Sequence, residues 1–114
     1  MAEKKIPKDI QEKLAELQML QQRLQVFAQQ KQQFQIQLVE VSNALEEVSK
    51  TKKPVYKLLG EILVESSAAD VKKELQEKKD EFDLRIKSIE KQEERSQKKA
   101  MDLQQEVAKV LESK

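Results

Sequence analysis

From Leu20 onward, apolar side chains recur at alternating steps of four and three. The stripe runs Leu20, Leu24, Phe27, Lys31, Phe34, Leu38, Val41, Leu45 and Val48, with Lys31 its one polar member. Sustained over roughly four heptads, this is the pattern of a helix that packs along another helix. Upstream, Ile10, Leu14 and Leu17 keep the spacing and then slip by one residue at Leu20. Pro7 suits the first turn of such a helix, and Asp9 with Glu12 offers an alternative cap of the capping-box kind. A second stripe, Phe82, Ile86, Ile89, Glu93, Ser96, Ala100, Leu103, Val107 and Val110, is weaker because Glu93 and Ser96 are polar. Ser67 followed by Asp70 supplies its start. Acid-first pairs at i,i+4, such as Glu74–Lys78 and Glu81–Arg85, support the helix from its solvent side. The spacing therefore predicts helices over residues 8–51 and 68–112, each about 65 Å long at 1.5 Å per residue.

Between them, residues 53–67 read KPVYKLLGEILVESS and break the pattern. Val55, Leu58, Leu59, Ile62 and Leu63 also fit a helical stripe, so a single continuous helix is one reading. Pro54 removes a backbone donor and pushes Lys53 out of helical geometry, and Gly60 weakens a helix further. Val55, Tyr56, Ile62 and Val64 favour strands. A β-hairpin over about residues 54–66 is the better reading, with Gly60-Glu61 as a two-residue turn that places glycine first. Leu59 then faces Ile62, Leu58 faces Leu63, and Lys57 faces Val64. Val55, Leu59, Ile62 and Val64 share one face; Tyr56, Leu58 and Leu63 share the other. Two strands alone are marginal and leave two open edges. Val55, Tyr56, Leu58, Leu59, Gly60, Ile62, Leu63 and Val64 are accordingly the candidate assembly residues, completed by strands of other chains. The bland alternative is a hairpin folded back on its own helices, which leaves the edges uncovered.

Composition narrows the function. The chain has 114 residues, enough for one domain (1–114), and is 38% charged with an apolar fraction of only 38%. Its 22 basic and 21 acidic residues are interleaved, so no basic block marks a nucleic-acid surface. There is no histidine and no cysteine, which removes the ordinary zinc ligands, an imidazole base and a thiolate nucleophile. One glycine cannot build a phosphate-cradling loop. Carboxylates such as Asp80 and Glu81 sit on solvated faces with nothing to desolvate them. No catalytic residue, metal site or cofactor is expected, and the chain does not read as an enzyme. No apolar run reaches the length of a membrane span, so the expected protein is soluble and cytoplasmic, without membrane or nucleic-acid partners.

Folding back about the turn sets residues whose numbers add to about 121 side by side. Both chain ends then meet at the far end of the helix pair. Ile6, Ile10, Leu14, Leu17, Leu103, Val107, Val110 and Leu111 gather there, more apolar side chains than a frayed last turn buries. Each can be read singly as continuing the stripe; as a set, some exposure at this end is the better reading, because helix ends open first. Midway, residues 90–99 (EKQEERSQKK) hold no apolar side chain and lie opposite Lys31. A polar residue in the stripe either fixes register at a cost in stability or softens the pair so that it bends.

Two long helices joined by the hairpin KPVYKLLGEILVES (53–66), with the glutamine-rich QQKQQFQIQL (29–38) and KSIEKQEERSQKKAMDLQQEV (87–107), closely resemble the prefoldin family over nearly the whole chain. Room for one hairpin resembles the beta type rather than the two-hairpin alpha type. The resemblance implies an ATP-independent co-chaperone in which two alpha-type and four beta-type subunits join through their hairpins into a double β-barrel. It implies that the coiled-coil tips hold unfolded polypeptides and pass them to a chaperonin. The partners so implied are an alpha-type subunit, further copies of this chain, clients and the chaperonin. A scaffold coiled coil that oligomerises without binding clients is the alternative, and it needs no exposed ends.

Overall fold

The computed structural model describes residues 7–112. Element order is α1 (Lys8–Lys50), β1 (Val55–Leu59), β2 (Ile62–Ser66) and α2 (Ala68–Glu112). The fold is thus mainly α, two long helices with an antiparallel hairpin between them.

Local chemistry sets each boundary. At the start of α1 the Pro7 carbonyl accepts from the N–H groups of Ile10 and Gln11, both at 3.0 Å. Pro7 is therefore the residue that opens the helix. Asp9 lies inside the first turn, where its charge complements the helix dipole, so the Asp9–Glu12 cap is not the one used. At the other end Thr51 N–H donates to the Glu47 carbonyl at 3.1 Å, and Pro54 stops the helix from continuing. The second helix starts as its sequence signals: Asp70 N–H donates to Ser67 Oγ at 3.1 Å, and Val71 N–H reaches the Ser67 carbonyl. Ser67→Ala should cost about 1 kcal/mol by removing that cap. The measurement is thermal unfolding followed by circular dichroism, where the midpoint should fall.

Two compact units make up the chain: Met1–Gln30 with Ile89–Lys114, called here the terminal unit, and Lys31–Ser88, the hairpin unit. In the terminal unit the core lies between the two helices. Leu20 packs with Ala100 and Leu103, and Leu17 closes over them. Ile89, Ser96 and Val107 are also buried. The stripe through the stretch without apolar side chains thus persists: Ser96 is buried and Glu93 half-buried at seam positions.

The seam does not slip at Leu20. Its four-and-three spacing runs straight back through Leu17, Lys13 and Ile10, of which Ile10 is buried and Lys13 and Leu17 half-buried. Lys13 occupies the seam and reaches Glu106 at 3.1 Å, its alkyl stem covering apolar neighbours while the ammonium reaches the edge. Leu14 is displaced to the flank and is 40% exposed.

In the hairpin unit Phe34 and Phe82 meet with ring centroids 6.0 Å apart and planes tilted by 35°. Arg85 lies 5.5 Å over the Phe34 ring and pairs with Glu81 at 2.7 Å. Ile86 is buried, and Leu38, Val41, Leu45 and Val48 are half-buried along α1. Lys31 is half-buried and engaged in a polar interaction, so this interruption of the stripe is satisfied.

Candidate assembly and client-contact surfaces

The hairpin pairs in the register that its turn dictates: Leu59 with Ile62, Leu58 with Leu63, Lys57 with Val64, Tyr56 with Glu65 and Val55 with Ser66. Gly60 carries φ of 62°, and no other described residue has positive φ. A left-handed first residue followed by an ordinary second one is the type II′ turn, whose twist suits two-residue hairpins.

One face of the hairpin is turned to the helices at its base. Val55, Lys57 and Ser66 on that face are half-buried, and Lys57 Nζ contacts both carboxylate oxygens of Glu74 on α2, at 2.8 and 3.0 Å. Both side chains are partly exposed, so the pair contributes at most about 1 kcal/mol. Its effect is to orient the strands against α2. The other face carries Tyr56, Leu58 and Leu63, all exposed, with Leu58 at 65% and Leu63 at 66%. Leu59, Ile62 and Val64 are exposed toward the turn. Six large apolar side chains thus face solvent within two five-residue strands. Among the described residues the sheet has two strands, so each strand has one edge of backbone donors and acceptors without a strand neighbour there. Open edges and uncovered apolar faces are together a template for further strands.

The residues expected at the chain ends divide. Ile6 lies outside the described residues. Ile10 is 1% exposed, and Leu103 and Val107 are also buried, because in-phase seam residues of the two helices cover one another. Those three offer no surface in this conformation and continue the seam. Leu17 and Val110 are half-buried. Leu14 remains accessible, as does Leu111 at 60%. Met101, 59% exposed on α2, belongs with them and was missed by reading the seam alone; its signal is an apolar residue one step out of phase with the stripe.

Among the described residues no group of three or more acidic, histidine or cysteine side chains is arranged to hold a metal ion. No helix among them is long and apolar enough to cross a membrane.

Known proteins share this arrangement. A family model described as prefoldin subunit matches residues 11–114. A prefoldin subunit beta of Archaeoglobus fulgidus is 39% identical over 108 residues, covering 93% of each chain. One from Methanocella arvoryzae is 44% identical over 108 residues, covering 93% of this chain and 86% of its own. Among solved structures, the prefoldin beta subunit from Thermococcus strain KS-1 superimposes with a TM-score of 0.87 at 32% identity, covering 96% of this chain and 97% of that one. Agreement in sequence and in backbone, each over nearly the full length, leaves one assignment: the chain belongs to the prefoldin family.

Proposed function

We propose that this chain is a beta-type subunit of a hetero-oligomeric prefoldin chaperone, holding unfolded polypeptide at its terminal unit and passing it to a chaperonin. In this reading the complex is a cytoplasmic hexamer of two alpha-type subunits and four copies of this chain, their hairpins closed into barrels. The observation that carries it is the hairpin. Exposed leucines on a strand pair with two open edges are costly in water and become useful once neighbouring strands cover them. Client contact then falls to the accessible apolar residues of the terminal unit, Leu14 and Leu111 first. No catalytic step or cofactor is required, because apolar contact with an unfolded chain needs no chemical energy.

Burial of Ile10, Leu103 and Val107 favours the second reading, a scaffold coiled coil with closed ends. One experiment separates them. The complex assembled with an alpha-type subunit is mixed, without nucleotide, with a chemically unfolded test protein, and light scattering is followed. The chaperone reading predicts suppressed aggregation at near-stoichiometric ratios. Scattering equal to that of the test protein alone would leave the scaffold reading.

A further inference from the structure

The terminal unit has two unlike sides. On one side lie its inter-helix ion pairs, Glu16 with Lys99 at 2.8 Å and Lys13 with Glu106 at 3.1 Å. Since Glu16 and Lys99 touch, that side is common to both helices. At 100° per residue, Glu12 and Arg23 share the side of Glu16, and Arg95 and Asp102 share the side of Lys99. This side is rich in charge, although Met19 and Val26 of α1 share it.

Across the seam the chemistry changes. The opposite flank of α1 carries Leu14, Gln18, Gln21 and Gln25, spaced four, three and four. The matching flank of α2 carries Gln97, Met101, Gln104 and Leu111. All of these are exposed, and none is ionisable. From Leu14 to Gln25 on α1 and from Gln97 to Leu111 on α2 this flank carries no charge, Glu90 and Glu94 sharing it only before Gln97; in a chain that is 38% charged, that stretch is set apart from the surface around it. Covering a charged flank strips water from ions at considerable cost, whereas an uncharged one is covered cheaply provided its amides find partners. A glutamine amide both donates and accepts, so it can pair with the main chain of a bound segment running in either direction. Met101 adds an adaptable apolar contact of the kind promiscuous surfaces use.

We propose that this uncharged flank binds extended polypeptide segments that lack charge, its glutamines taking main-chain N–H and C=O groups while Leu14, Met101 and Leu111 take apolar side chains. The proposal rests on the client-holding reading and names the class of segment held and the surface that holds it. An acidic segment is disfavoured because no cation lies on this flank and Glu94 borders it.

The test uses the full-length chain in its assembled complex. Two fluorescent, unstructured peptides of equal length are titrated by anisotropy, one uncharged and rich in apolar residues, the other with glutamate at alternate positions. The uncharged peptide should bind at least about tenfold tighter, and its affinity should change by less than about twofold as salt is raised. Gln25→Glu combined with Gln104→Glu should weaken that binding about tenfold by introducing charge that the complex must bury. Gln25→Ala with Gln104→Ala, which removes the amides without adding charge, should weaken it several-fold. Gln30→Glu, on the ion-paired side, should leave it unchanged; native mass and helicity confirm that each variant is assembled. Glutamine-flank variants that bind as the parent does would overturn the proposal, as would an equal loss in Gln30→Glu. If that happens while Leu14→Ser with Leu111→Ser loses binding, the client-holding reading survives and only the flank is wrong. If neither peptide binds the parent and aggregation is not suppressed, both fall.

Discussion

Leu58→Asp together with Leu63→Asp is expected to abolish assembly while leaving the helices formed. The two residues face each other across the strands and are the most exposed apolar side chains on the outer face of the hairpin. In an isolated chain, charges there meet water and cost little. In an assembly that covers the face, each aspartate is buried without a partner, which costs several kcal/mol against about 1.5–3 kcal/mol that a buried leucine contributes. The two positions also sit opposite one another, so the carboxylates repel. Helicity should persist, because neither side chain contributes to the seams of α1 and α2. Native mass and circular dichroism together read the outcome: small species with near-parental helicity. A double variant that runs at full native size would show that this face is not what assembles.

The second large effect is expected at the terminal unit. Leu14→Ser with Leu111→Ser should reduce the holding of unfolded protein by at least about tenfold with the complex intact. Both side chains are already accessible, so their loss leaves no cavity in the seam and little effect on stability is expected. Each contact with a client is worth on the order of 1–2 kcal/mol at partial burial, too little to hold a chain alone. Several subunits acting on one flexible polypeptide raise its effective concentration, so a modest loss per contact compounds across the complex. Light scattering of an unfolded test protein measures this. Suppression equal to the parent's would move client contact away from these leucines.

The contrast between Lys13 and Leu14 shows how far the sequence could be read. Four-and-three spacing locates a helix seam wherever its members are apolar, and for Leu20 through Val48 and Phe82 through Val110 every one of those positions is buried or half-buried. At the start of α1 the rule misled, because a leucine next to a lysine attracts the stripe to itself. Lys13 takes the seam position through its alkyl stem and its pairing with Glu106, a contact made by a residue some ninety positions away that no local pattern announces. The hairpin was readable for the opposite reason. One glycine, one nearby proline and strand-favouring residues fix a turn, and a two-residue turn fixes the register of everything beside it. Its oriented face was not readable, since it depends on Lys57 meeting Glu74. Burial of Ile10, Leu103 and Val107 follows from the seam itself, which runs in phase to the last turns of the pair. The uncharged flank was present in the sequence as glutamines, yet it becomes a surface only once the ion pairs show which sides of the two helices coincide.

Assembly through the hairpin is the claim on which the rest depends, and native mass spectrometry tests it most directly. The chain is measured alone and after co-expression with an alpha-type prefoldin subunit, at micromolar concentration and moderate salt. Assembly through the hairpin predicts that the co-expressed sample is dominated by one species containing four copies of this chain and two of the partner, and that the hairpin double aspartate variant does not enter it. A co-expressed sample in which this chain runs as a single polypeptide, with the partner present and folded, would contradict assembly through the hairpin.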